Sequence, residues 1–266
     1  MTQKADQQQD NNDRLNQLIG SSGDIAGAAI GGALGFLAAG PAGAALGSAS
    51  GAAAASAIKK IGAEVSDRLL GSREKIRVGG VLAIAANHIR NRIERGEQLR
   101  NDGFFRQNES GRSDAEEVAE SVLLKSQREA EERKIPFMAF LIGNVAFDAQ
   151  ISPQLAHQII KSADAMTYRQ LCILKLAALK ENYALRTQDY RDQGHFERNL
   201  YEILYECLDL YHRGFINFGG GVAFGPTDVK PNGMSIQGIG VDVFSQMGLA
   251  TIPQSDIDQI VERLSS

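Results

Sequence analysis

The run GAAIGGALGFLAAGPAGAALGSASGAAAA, Gly27 to Ala55, limits the fold of this chain more than any other feature. No charged residue lies between Asp24 and Lys59, and few side chains there are larger than alanine. Gly23, Gly27, Gly31 and Gly35 are four apart, Ala39 continues the step, and Gly43, Gly47, Gly51 and Ala55 resume it. A four-residue step keeps these positions near one stripe of a helix. Glycine costs about 1 kcal/mol against alanine at each helical site. Its repeated use needs a compensation, and close approach of another backbone to a bare helix face supplies one. A flexible linker has no need of period four. The spacing therefore predicts helices packed through a face of small residues.

As one helix, residues 25–58 would be about 51 Å long at 1.5 Å per residue, beyond a bilayer core of about 30 Å. Gly40-Pro41 offers the break, since proline disfavours helical geometry in the residue before it. Two arms are expected, 25–39 and 42–58, each about 22–26 Å long. Residues 23–55 resemble the glycine zippers of membrane-associated proteins and, in composition, the hydrophobic hairpin of pore-forming colicins. The resemblance implies homo-oligomers and contact with membrane lipids. The first arm carries Ile25, Ile30, Leu34, Phe36 and Leu37, whereas the second has little beyond Leu46 and Ile58. Such residues favour insertion by only about 0.3–0.6 kcal/mol each. A lone hairpin would insert marginally, so packing between copies has to contribute.

The flanks suggest an orientation. Residues 1–22 form a polar tail without the basic start of a secretory signal, which predicts a cytosol-facing chain. Block 61–106, with Lys59 and Lys60 before it, is basic. Over 59–106 eleven lysines and arginines stand against six acids. Lys59, Lys60, Arg68, Arg73, Lys75 and Arg77 are the candidate headgroup-facing residues, because cations collect on the cytoplasmic side of an insertion. The alternative is an ordinary solvated helical surface. Residues 73–101 read as one long amphipathic helix, with Gly71 ending its predecessor and Ser72 as cap. The uncharged centre of that helix, Val78 to Asn87, is too short to span a membrane.

From 107 onward the composition changes, and 107–266 reads as a helical domain. Ser113 and Glu116 form a capping box before a helix at 114–133. Pro136, Pro153 and Thr167 open three more. A short helix near 187–192 and a long one at 195–213 follow, the latter stopped by Gly214. "FINF" and "GMSIQ" predict a β-hairpin, and a last helix is capped by Ser255. Residues 167–237 thus have the order of a winged helix. Over 135–252 the chain resembles abortive-infection proteins of the Abi-alpha type, through "KIPFMAFLIGNVAFD" and "SIQGIGVDVFSQMGL", with Gln237 where such an ending favours threonine. That resemblance implies a phage-defence setting. The expected fold is mainly α: an N-terminal Ala/Gly hairpin at 23–60 plus a C-terminal helical domain with a winged-helix-like unit.

Chemistry is sparse. Cys172 and Cys207 form no CxxC, and His88, His157, His195 and His212 are scattered, so no metal site or cofactor is expected. "GGGVAFG" at 219–225 lacks the Lys-Ser/Thr of a phosphate loop and reads as a hairpin tip. Net charge is −4. The helix in the recognition position carries Glu197, Glu202, Glu206 and Asp209 against Arg198 and Arg213, which opposes duplex binding. These readings predict a non-enzymatic effector at the inner membrane, with a cytosolic C-terminal domain that meets a protein partner or trigger and no nucleic acid. The rivals are a cytoplasmic homo-oligomeric assembly or adaptor and, third, a winged-helix DNA-binding regulator.

Overall fold

The computed structural model describes residues 71–265, together with Lys60, Ile61 and Glu64. The tail, the glycine stripe from Gly23 to Ala55, the Gly40-Pro41 break, Lys59 and Arg68 lie outside the described residues. The described part is mainly helical, with eight α-helices and one two-stranded ribbon. Contacts divide the chain into two compact units, 1–164 and 165–266. The sequence boundary at 107 falls inside the first.

In the first unit, α1 spans Ser72–Glu94, α2 Asp114–Arg128, α3 Ile135–Val145 and α4 Pro153–Asp164. Gly71, not Ser72, is the cap of α1, and its N–H donates to the Glu74 carboxylate at 2.6 Å. The helix stops at Glu94 rather than running to 101, because Gly96 takes a left-handed turn (φ 84°) and its N–H donates to the Ile93 carbonyl. Val78, Val81, Leu82, Ile84, Ala85 and Ala86 are all buried, as are Gly79 and Gly80. The centre of α1 is thus enclosed on most sides instead of presenting one apolar stripe. It packs on α3 and α2, and α2 packs in turn on α4.

The capping box expected at Ser113 and Glu116 opens α2, with Glu116 N–H to Ser113 Oγ at 3.2 Å and Ser113 N–H to Glu116 Oε2 at 2.8 Å. This helix ends at Arg128, not 133. A 3-10 turn, Glu132–Lys134, leads directly into α3, where Pro136 occupies the first turn. A proline needs no N–H partner at that position.

In the second unit, α5 spans Tyr168–Ala178, α6 Arg198–His212, α7 Ile239–Gln246 and α8 Gln254–Ser265. Thr167 Oγ1 accepts from Gln170 N–H at 3.1 Å and caps α5. No helix forms at 187–192. The Arg186 N–H donates to the Leu264 carbonyl and the Tyr190 N–H to the Thr227 carbonyl, which fastens this segment to other parts of the unit. The short helical turn lies earlier, at Lys180–Asn182. Helix α6 ends at the left-handed Gly214 (φ 76°), as its glycine predicts. Strands β1 (Ile216–Asn217) and β2 (Ser235–Ile236) are antiparallel, with Ile216 opposite Ile236. Ser255 is inside the first turn of α8, not at its cap.

Candidate interaction surfaces

Of the six candidate headgroup residues, four are described. Lys60 Nζ lies 3.0 Å from Glu116 Oε1. Arg73 and Arg77 reach Glu132 at 3.1 and 3.5 Å, and Arg77 also donates to the Gln127 carbonyl. Lys75 is half-buried and makes no ion pair among the described residues. Burial would raise the pKa of Glu116. The Ser113 N–H and the Lys60 ammonium outweigh it and hold the carboxyl below its ordinary value.

A polar seam joins α1 to α3. His88 Nε2 and Asn144 Oδ1 are 2.8 Å apart, and Arg92 Nη1 donates to the same oxygen at 2.8 Å. Arg92 also binds Glu97 and lies over the Phe147 ring, 4.2 Å from its centroid. His88 tilts against Phe140, with ring centroids 4.9 Å apart. Burial depresses the His88 pKa, the Asn144 bond opposes that, and Arg92 and Arg95 depress it further. Burial thus favours the neutral ring, and the Asn144 side chain occupies its Nε2.

The face of α6 differs from its sequence reading. Its four acids are matched by four arginines, two of them from other helices. Arg169 of α5 binds Glu206 at 2.6 Å and Glu202 at 3.6 Å. Arg263 of α8 binds Glu197 at 2.8 Å, Arg198 binds Glu202 at 3.0 Å, and Arg213 binds Asp209 at 3.1 Å. The surface is electrically balanced, and each of these arginines already has a carboxylate. Among this paired charge, Tyr201 and Tyr205, one helical turn apart, are 49% and 59% exposed. Paired exposed tyrosines, apolar in body and polar at the tip, suit protein contacts. The Arg198–Glu202 and Asp209–Arg213 pairs are four residues apart in the chain. The arginines from α5 and α8 were not legible in the sequence, because only tertiary packing brings them there.

Both cysteines are buried, and burial pushes the Cys207 thiol well above its usual range. Tyr190 is fully buried and pushed up to about 12 by the same cause. Neither group is poised to react near neutral pH. Among the described residues no three of His, Cys, Asp and Glu gather as metal ligands, and no helix is long and apolar enough to cross a membrane. Comparison with known families, with characterised proteins and with solved structures gives no match.

Proposed function

We propose that this chain is a non-enzymatic membrane effector. Its glycine-striped segment, 23–58, packs copy against copy in or on the inner membrane and perturbs or permeabilises it. The helical units on its C-terminal side hold that segment in check or relay a trigger. The observation that carries the reading is the period-four stripe within an uncharged run of membrane-scale length. The apolar side chains of α1–α8 are largely consumed in their own cores, which leaves 23–58 as the part suited to lipid. In this reading Lys75, with no ion pair among the described residues, joins Lys59 and Arg68 as the headgroup contacts. Abortive infection is the setting that the resemblance over 135–252 offers.

Helix α5, the 3-10 turn, α6 and the β1–β2 ribbon follow the order of a winged helix, and we read this unit as a protein-contact module. A duplex-binding surface requires cations free to replace counterions, and those on α6 are committed to carboxylates.

The test is membrane pelleting with a carbonate wash. The deletion must stop at residue 58, because Lys60 is the partner of the buried Glu116 and Ile61 is fully buried. Full-length protein should pellet and resist the wash, while the Δ1–58 form should remain in solution. Both forms in the supernatant would favour a soluble assembly built through the same stripe.

A further inference from the structure

The first described residues on the C-terminal side of the glycine-striped run are gripped at the start of α2. Lys60, Ile61 and Glu64 are helical, and at this spacing they fall within about a 100° arc of the helix. Ile61 is fully buried. Lys60 Nζ lies 3.0 Å from Oε1 of the buried Glu116 and donates to the Gly111 carbonyl at 3.4 Å. Arg112 binds Glu120 at 2.8 Å. That bond raises the Arg112 pKa, and the Glu64 and Glu116 carboxylates add to it. A buried side chain and flanking charges of opposite sign thus fix this stretch, with Lys60 at the first turn of α2. A pair whose carboxylate is buried is costly to break.

The turn before α2 is itself closed. The Gly111 N–H donates to the Asn108 carbonyl at 2.9 Å, the Asn108 N–H donates to the Arg112 carbonyl at 2.8 Å, and Gly111 is left-handed (φ 76°). Its tip, residues 108–111, is exposed throughout.

Chain length then fixes what lies near this tip. A residue spans at most about 3.6 Å, so the Ile58 Cα is within about 7 Å of the Lys60 Cα. Ile58 is the last apolar residue of the striped run. Where that run meets lipid, the Lys60 anchor and the 108–111 turn have to be close by. The far end of α2 is about 22 Å away along the helix. The exposed charges here are mixed, Arg106 against Glu109 and Glu117, so attraction to anionic headgroups does not select this face. The tether selects it.

We infer that the 108–111 turn and the N-terminal end of α2 form the membrane-proximal face of the first unit, held there by the Lys60 anchor. The inference rests on the membrane reading of 23–58 and adds the orientation in which that unit meets the bilayer.

Both native cysteines are buried, so a small thiol-reactive fluorophore goes to an introduced one. Glu109→Cys places it on the turn, and Ala130→Cys places it at an exposed site just past the far end of α2. Each full-length variant is mixed with phosphatidylcholine–phosphatidylserine vesicles whose headgroups carry a nitroxide quencher. Sedimentation of the same samples reports binding, and circular dichroism matching the parent certifies the fold. Quenching of E109C should exceed that of A130C by about twofold or more, given the ~22 Å length of α2. An insert of about 12 glycines and serines between Ile58 and Lys59, spanning about 20 Å on average, should abolish that excess while sedimentation persists. Co-sedimentation with equal or reversed quenching, without the insert, would overturn the inference while the glycine-stripe reading stands. An excess that survives the insert would give this face its own affinity for lipid and overturn the tether. Absence of co-sedimentation would overturn both.

Discussion

The two units manage buried polarity in different ways. The first encloses charge: Arg100, Glu116 and Lys134 are all buried. Arg100 Nη1 donates to the carbonyls of Val145 and Ile151 at 3.2 and 2.8 Å, binding the end of α3 to the loop before α4. Lys134 is held by Glu129 and lies 3.4 Å from the Asp164 carbonyl. In the second unit Lys175 is the buried charge among the described residues, and it donates to the Ile252 carbonyl at 2.6 Å. The ion pairs of α6 lie nearer its surface. The first unit thus owes more to polar bonds across helices, and the second to apolar contact beneath a paired surface. Buried pairs are costly to break, whereas exposed ones contribute little.

Cutting the chain at residue 107 should produce the largest contrast. A 107–266 fragment lacks α1, which contributes Val81, Leu82, Ala85 and Ile89 to the core of the first unit. The bared faces of α2 and α3 should prevent that unit from packing, while residues 165–266 keep their fold. An amide NMR spectrum should show dispersed peaks from the second unit alone. Dispersed peaks from both would mean that α1 is dispensable, against its packing on α3.

That cut follows a composition change, and its position shows where sequence reading stops. Local signals were legible: the Ser113–Glu116 box, the Thr167 cap and Gly214 ending α6 all depend on neighbours in the chain. Domain limits depend on contacts across tens of residues, such as Arg73 with Glu132, and charge composition does not report these. The expected helix at 187–192 failed for a similar reason, since the distant Thr227 carbonyl claims the Tyr190 N–H and the Leu264 carbonyl claims that of Arg186 just before the segment.

Glycine packing gives the next contrast. A Cβ on Gly240 would lie 2.2 Å from the Phe215 carbonyl oxygen and 3.0 Å from its carbon, both backbone atoms. A Cβ on Gly143 would meet His88 Cδ2 at 2.5 Å, a ring that can turn away at the expense of its Asn144 bond. Gly240→Ala should therefore cost about 3 kcal/mol and Gly143→Ala about 1–2 kcal/mol, within the range for overpacking. Urea denaturation of the full chain measures both. A reversed order would mean that the His88 seam is more rigid than the β1–α7 junction.

Buried cations provide a smaller pair of effects. Arg100→Met strands the Ile151 carbonyl and removes the ion pair to Asp102, and should cost about 2 kcal/mol, whereas Lys175→Met strands the Ile252 carbonyl alone and should cost about 1 kcal/mol. Equal losses would erase the distinction drawn between the units.

Acid should act on the first unit early. The His88 pKa is depressed in the folded protein, so the unfolded chain takes up that proton first. Its contribution is complete above the ordinary histidine value of 6.5 and declines as pH falls through the folded value. Glu116, depressed below 4.5, acts in the same direction at lower pH. Stability measured between pH 7 and pH 5 should fall, and His88→Gln should flatten that slope. An unchanged slope in the variant would place the sensitivity elsewhere.

The smallest stability effect lies on α6, where it carries the sharpest functional contrast. Glu206→Gln with Asp209→Asn removes the main carboxylate partners of Arg169 and Arg213 but keeps side-chain shape. Glu206 is largely covered while Arg169, Asp209 and Arg213 are partly exposed, and Gln and Asn each keep an oxygen that accepts from the facing arginine, so the double variant should melt close to the parent. Its surface, however, changes from balanced to cationic by two charges. If pairing is what withholds this face from phosphate, the parent should show no salt-sensitive duplex binding and the variant should acquire some. Its affinity should fall as salt rises, because released counterions drive such binding. Duplex binding by the parent itself at physiological salt would break the argument. It would mean that arginines already engaged with Glu206, Asp209 and Glu197 still exchange their carboxylates for phosphate, and the regulator reading would regain its footing over the protein-contact module.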